Sequence, residues 1–365
     1  MSELLELAAE LVDIPSVSRQ EGAICDRVER ELRAGPFLNV ERTGDSVVAR
    51  TSFGRARRVL LAGHLDTVPP FSATGARLEG DALFGLGAVD MKGGLAVLLS
   101  LVPAVEQAAV DVTFVFYSCE EIERDADALA ALARARPEVL AADAAVLGEP
   151  TAGVVEAGCQ GTLRAVVHLT GRRAHTARPW QGVNAVHRLV PALEILSGYR
   201  PRQVVMDGCV YAEQLQAVGV RGGVAGNVVP DGAELTVNFR FAPDRSVEEA
   251  EQELREMFAG AMRAEDGDHL EVVDAAPGAP PGLDHPVLQA LVRSSGAPPR
   301  AKVGWTDVAT LAAIGLPAAN FGPGDPLLAH TPDETVTGAE LEHARSVLVA
   351  VLDGGAAADA DAISR

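Results

Sequence analysis

Apolar positions along this chain change texture twice. From residue 2 to about residue 161, short runs of nearly continuous apolar residues alternate with segments whose apolar residues recur every three or four positions. The runs at 47–50, 59–62, 112–117 and 144–147 predict strands, and the segments at 4–12, 21–32, 93–105 and 127–135 predict helices. Strands this apolar need cover on both faces, so the region predicts an α/β layer architecture.

Between 162 and 271 strict alternation takes over. In 162–170, Leu163, Ala165, Val167 and Leu169 face one way, while Arg164, Val166, His168 and Thr170 face the other, as in a strand with one wet face. A helix at 183–196, strands near 211–220 and at 234–241, a helix to about 262 and a strand at 270–273 follow. Ser246 with Glu249 three residues on predicts a capping box for the second helix. This order is that of a split βαβ unit. After a Pro/Gly-rich stretch at 276–282 the first texture returns, with a helix at 307–314 and a strand at 318–321. The expected organisation is a catalytic domain of residues 1–161 and 272–353, interrupted by an inserted domain at 162–271. Residues 354–365 have little to bury and are expected to be a disordered tail.

Composition narrows the function classes. The 365 residues carry 51 acidic and 31 basic side chains, a formal charge of −20, which argues against nucleic acid and against an anionic membrane surface as partners. Lys92 and Lys302 are the only lysines. Cys25, Cys119, Cys159 and Cys209 are scattered without a CxxC pair, as expected of reduced thiols. The N-terminal segment lacks the basic and apolar regions of a signal peptide, and no run approaches a membrane span. A cytoplasmic protein is expected.

Five loops then carry the candidate chemistry. Gly63-His64-Leu65-Asp66-Thr67-Val68-Pro69 closes the strand at 59–62. Residues two apart on extended backbone point the same way, so His64 and Asp66 can share a pocket, the carboxylate fixing the second ring nitrogen of a histidine ligand. Gly85-Leu86-Gly87-Ala88-Val89-Asp90-Met91-Lys92-Gly93-Gly94 leads into a helix but places Asp90 at the third glycine of a dinucleotide loop, which suits a carboxylate presented to a cation. Tyr117-Ser118-Cys119-Glu120-Glu121 sets two adjacent carboxylates at a strand's C-terminal end, the edge where α/β sheets bind ligands. Cys119 reads as a packed small residue. Gly148-Glu149-Pro150-Thr151 and Ala329-His330-Thr331-Pro332-Asp333-Glu334 complete the set. Each loop alone also reads as a solvated turn. Together His64, Asp90, Glu121, Glu149 and His330 form a mixed nitrogen and oxygen set of the kind Zn²⁺ accepts, with a carboxylate available to bridge two metals. Glu120 is left over to take a proton from water.

In this order the motifs resemble the M20 family of di-zinc amidohydrolases and peptidases over essentially the whole chain. Gly304-Trp305-Thr306-Asp307 and Asn320-Phe321-Gly322-Pro323-Gly324 are most similar to the succinyl-diaminopimelate desuccinylases within it. The resemblance implies a zinc-peptidase-like three-layer α/β/α catalytic domain with an inserted α+β ferredoxin-like lid and dimerisation domain. It implies two zinc ions per subunit, with cobalt or manganese able to substitute: His64 and Glu149 on one, Glu121 and His330 on the other, Asp90 between them. Asp66 would orient His64, and Glu120 would be the general base. Gly171-Arg172-Arg173-Ala174-His175-Thr176-Ala177 matches a motif whose histidine completes the partner subunit's oxyanion site, so a homodimer through the inserted domain is implied. Asn227 and Arg240 match positions that bind substrate carboxylate, and Thr306 joins them. Many desuccinylases carry a basic residue just before the position of Gly161, where this chain has Cys159-Gln160; Arg178 of the partner subunit is the candidate substitute. The implied reaction is hydrolysis of N-succinyl-LL-2,6-diaminopimelate to succinate and LL-2,6-diaminopimelate, in lysine and diaminopimelate biosynthesis. Acetylornithine deacetylase and carboxypeptidase or dipeptidase activities share every metal residue. A catalytically silent metal-binding homologue is the alternative of a different class.

Overall fold

The computed structural model describes residues 2–71 and 75–355. The expected tail at 354–365 therefore lies outside the described residues from 356 onward. An eight-stranded sheet runs in the order Asn39–Thr43, Ser46–Arg50, Asp111–Tyr117, Arg58–His64, Ala144–Leu147, Ala318–Asn320, Glu156–Ala157, Arg300–Ala301. The four strands from Asp111–Tyr117 to Ala318–Asn320 are parallel neighbours. Their successive side chains serve two separate cores. Val59 and Leu61 pack with the helices Glu3–Val12, Gly93–Ser100 and Gly338–Ala350; Leu60 and Ala62 pack with Ala128–Ala135 and Val308–Ala313. Two-sided burial is why these strands read as apolar runs, and each fully buried Leu or Phe contributes about 1.5–3 kcal/mol. The result is the expected three-layer α/β/α arrangement.

Two glycines let the layers close around the strand ends. A Cβ on Gly94 would lie 2.1 Å from the carbonyl oxygen of Gly148, and one on Gly322 would lie 2.5 Å from the same atom. Both backbones therefore pass the loop carrying Glu149 at a distance no side chain allows.

A second sheet orders its strands Gln214–Gly222, Gly232–Phe241, Gly161–Thr170, His269–Ala276, all antiparallel. Leu163, Val167, Leu235, Val237 and Phe239 bury one face against the helix Val247–Phe258, whose capping box at Ser246 and Glu249 forms as expected. The strand order and the two intervening helices are ferredoxin-like.

Several boundaries move for local reasons. The helix expected at 93–105 ends at Ser100, because Pro103 lacks an N–H and disfavours helical backbone before it. The helix expected at 183–196 begins only at Val190: Val183 pairs with Arg172, and Asn184 Oδ1 accepts the N–H groups of Val186 and His187. The strand expected at 211–220 breaks at Glu213, a buried carboxylate held by Arg202 and Arg245. Its first part joins the hairpin Gln203–Met206/Cys209–Ala212, where the Tyr211 hydroxyl donates to the Ala157 carbonyl at 2.7 Å. The three-stranded sheet Thr335–Thr337, Ala82–Phe84, Arg77–Glu79 and the helices Pro286–Ser295 and Gly338–Ala350 are additions to the sequence reading.

Candidate metal centre

Parallel strands deliver their C-terminal residues to one edge of the sheet, where His64 sits opposite Tyr117. The His64 ring is buried. Its Nδ1 lies 3.0 Å from the Asp66 carbonyl oxygen and 3.5 Å from Asp66 Oδ1, while Nε2 lies 3.1 Å from Asp90 Oδ1. Acceptors on the Nδ1 side favour the proton there, leaving Nε2 to face the cluster. Burial alone would lower the imidazole pKa, but Asp66 and Asp90 outweigh it and hold it well above the ordinary value.

Asp66 organises more than one histidine. Its carboxylate accepts the N–H of Glu120 at 3.1 Å, the N–H of Glu121 at 3.0 Å and the Ser18 hydroxyl at 2.7 Å. Those donors and His64 keep the carboxyl below its usual range despite burial. The residue before this pair, Cys119, adopts left-handed backbone with φ 64°, and its N–H donates to Glu21 Oε1 at 3.0 Å. Burial and Glu21 push its thiol up to about 11, so it is no nucleophile.

Asp90 lies between two imidazoles, with Oδ2 3.3 Å from His330 Nε2. His330 Nε2 also meets Glu121 Oε1 at 2.9 Å. Asp90 and Glu121 together push the His330 pKa up to about 10. One ligand atom each from His64, Asp90 and Glu121 fall within 4.8 Å of one another. Glu149 is buried, and its Oε1 has no hydrogen-bond partner; burial, with Asp90 beside it, pushes its carboxyl up to about 7. Burial and the neighbouring carboxylates of Glu149, Asp307 and Glu121 likewise raise Glu120 well above its ordinary value, although His64 opposes them.

Asp90, Glu120, Glu121, Glu149 and His330 share a cavity of about 220 Å³, closed on another side by Lys302, Trp305 and Thr306. Four carboxylates in so small a space repel one another, and an unpartnered buried carboxylate oxygen costs several kcal/mol. Cations relieve both penalties. The donor set of imidazole nitrogens and carboxylate oxygens fits divalent metal, and the partnerless Oε1 of Glu149 is the observation that speaks for it most directly.

Thr306 is buried in this wall, its hydroxyl donating to Asn320 Oδ1 at 3.1 Å. The lid residues lie elsewhere. His175, Arg178 and Asn227 are exposed on adjoining loops, where the Thr176 N–H donates to the Asn227 carbonyl at 3.1 Å and His175 Nδ1 accepts from Ala177 at 3.0 Å. Arg240 is half-buried on the lid sheet, with Nε donating to Asn238 Oδ1 at 3.1 Å. None of these four lines the cavity of a single chain.

Sequence reading passed over three supports. Glu334 stood in a quoted motif without a role; its carboxylate accepts the Val89 N–H at 3.3 Å and the His330 N–H at 3.2 Å, tying together the loops of Asp90 and His330. Lys302 was only a count. Asp127 caps the helix Ala128–Ala135 and faces the buried Asp307; burial, with Asp307 next, pushes its carboxyl up to about 9.

Residues 60–354 match Peptidase family M20/M25/M40, and the chain belongs to that family. A Mycobacterium tuberculosis protein provisionally named succinyl-diaminopimelate desuccinylase DapE is 52% identical over 351 residues, covering 96% of this chain and 98% of its own. The Corynebacterium glutamicum succinyl-diaminopimelate desuccinylase is 44% identical over 340 residues, with 92% of each chain covered. Among solved structures, a Staphylococcus aureus tripeptidase superposes with TM-score 0.79 at 20% identity, covering 97% of this chain and 98% of its own. A dinuclear metal-binding M20 peptidase from Bacillus subtilis superposes with TM-score 0.67 at 18% identity, with 96% of each covered. Among the described residues, no helix is long and apolar enough to cross a membrane.

Proposed function

We propose that this chain hydrolyses N-succinyl-LL-2,6-diaminopimelate to succinate and LL-2,6-diaminopimelate. One observation carries the hydrolytic reading: Glu120 enters the same small cavity as Asp90, Glu121, Glu149 and His330. The succinyl substrate is supported by the near-full-length relatives bearing that activity in their names.

His64 and Glu149 would hold one zinc, Glu121 and His330 the other, with Asp90 between them; cobalt or manganese could take the same ligands. A zinc pair bound there supplies Lewis acidity and brings the pKa of a water toward neutrality. Glu120 takes the proton from the attacking water and returns it to the departing amine. Dications held by these residues would oppose the burial and neighbouring carboxylates that raise the Glu120 pKa, and so would favour its ionised, proton-accepting form. Asp66 fixes His64 through its ring and fixes Glu120 and Glu121 through their backbone N–H groups. Thr306 and the lid residues Arg240, Asn227 and Arg178 would hold the substrate's polar ends. The partner subunit's His175 would donate to the oxyanion in a homodimer formed through the inserted domain at 162–271, with 1–161 and 272–353 as the catalytic domain. The exposure of His175 and Asn227 supports that division of labour. A cytoplasmic setting, where diaminopimelate would feed lysine biosynthesis, accompanies this reading.

The test is a side-by-side assay of zinc-loaded protein on N-succinyl-LL-diaminopimelate and N-acetylornithine. Clear preference for the succinyl substrate is expected; preference for the acetyl one would overturn the assignment.

A further inference from the structure

A succinyl amide differs from a simple acyl amide by a free carboxylate at the far end of a short chain. A pocket that selects it needs one fixed positive charge beyond those that balance its own acids. Among the described residues, Lys302 is the one lysine or arginine on the cavity wall, and only 12% of its side chain is exposed. Its backbone is pinned on both sides: its N–H donates to the Ala157 carbonyl at 3.4 Å, and its carbonyl accepts the Gln160 N–H at 3.2 Å.

Lys302 Nζ lies 2.9 Å from Glu156 Oε2, yet the other oxygen of that carboxylate is already met by Arg300 Nε at 3.2 Å. Two cations thus share one acid, and the second cation faces the cavity. Lys302 therefore stands on the cavity wall beside Thr306 and Trp305 with only a share of one acid as its partner. Gln160, at the position where many desuccinylases carry a basic residue, spends its side-chain N–H on the Ala212 carbonyl, and Arg178, the candidate substitute from the partner subunit, is exposed on the inserted domain. Burial alone would lower the ammonium pKa, but the Glu156 carboxylate beside it opposes that and holds it up.

We propose that Lys302 determines acyl specificity, its ammonium meeting the terminal carboxylate of the succinyl chain while Arg300 keeps Glu156 in place. The inference rests on the succinyl reading above and names the residue that reads that group.

The test compares kcat/KM for N-succinyl-diaminopimelate with that for N-butyryl-diaminopimelate, which has a similar chain length and no terminal charge. In Lys302→Met the succinyl-to-butyryl ratio is expected to fall about 10- to 100-fold, mainly through KM, as for loss of a charged hydrogen bond. Lys302→Arg, which keeps the charge, should retain most of the preference. Bound zinc, measured in parallel, should match the wild type in both variants. Should Lys302→Met fail to fold, Lys302→Gln and inhibition by succinate against butyrate supply the same ratio. A wild type that prefers the succinyl amide, with a charge-less variant that keeps the preference, overturns the proposal alone. A wild type with no preference overturns the succinyl reading and the proposal with it.

Discussion

The edge of the catalytic sheet and the loops of the lid hold candidate residues under opposite conditions. At the sheet edge, His64, Asp66, Glu149 and Glu334 are buried, and all but Glu149 are tied to neighbours by hydrogen bonds, whereas His175, Arg178 and Asn227 stand exposed. The difference is one of support. Asp66 spends its oxygens on two N–H groups and a hydroxyl to hold the Glu120–Glu121 turn, and Glu334 does the same for the loops of Asp90 and His330. A single chain therefore brings the candidate metal and acid groups together. Under the proposed reading the lid residues would act against another surface, so the oxyanion donor is the part of the proposed site that would depend on association.

That contrast can be broken by experiment, beginning with the strongest effect. Asp90→Ala removes the carboxylate between the two imidazoles and should abolish turnover with fewer metals bound per chain; unchanged metal content would separate Asp90 from the centre. His175→Ala should lower kcat by about 10²- to 10³-fold, the size of one lost oxyanion donor, with metal content untouched. Mixing His175→Ala subunits with Glu120→Ala subunits should regain activity that neither parent shows, and a mixture that stays inactive would deny the cross-subunit role. Asp66→Asn loosens the ring of His64 and should weaken metal binding about 10- to 100-fold by competition with a chelator. An affinity equal to the wild type would reduce Asp66 to packing.

Asp127→Asn should have the smallest effect on turnover, and its signature lies in the pH dependence of stability. The folded-state pKa of Asp127, about 9, lies above the ordinary aspartate value, so the folded chain keeps a proton that the unfolded chain loses above about pH 4. This group therefore removes stability as pH rises, by up to about 1.4 kcal/mol per unit until the folded carboxyl ionises near pH 9. The variant should resist alkaline unfolding better than the wild type in chemical denaturation, and parallel pH profiles for the two would show that the buried pair does not share a proton.

The metal-centre candidates were legible in the sequence because polar residues just past an apolar strand advertise themselves: His64 and Glu149 each follow an apolar run, and Glu120 comes three residues after the run that ends at Tyr117. What hid was non-local. Glu334 acts on Val89 across most of the chain, and no spacing rule reports that contact. The approach of Gly94 to the Gly148 carbonyl is likewise a fact of packing, not of pattern. In the lid, alternation placed the strands well, but Asn184 and Glu213 redirected their neighbours through side-chain bonds that hydropathy ignores. Lys302 left one faint trace, its rarity, in a chain with 29 arginines among 31 basic residues.

The central claim is that the sheet edge separates the groups that hold metal from the one that moves the proton. Glu120→Gln tests it most directly, with zinc content and turnover of N-succinyl-LL-diaminopimelate measured on the same sample. The account predicts wild-type zinc content with turnover lowered by at least about 10²-fold. Zinc lost along with activity would place Glu120 among the ligands, and turnover near the wild-type rate would show that another group is the base.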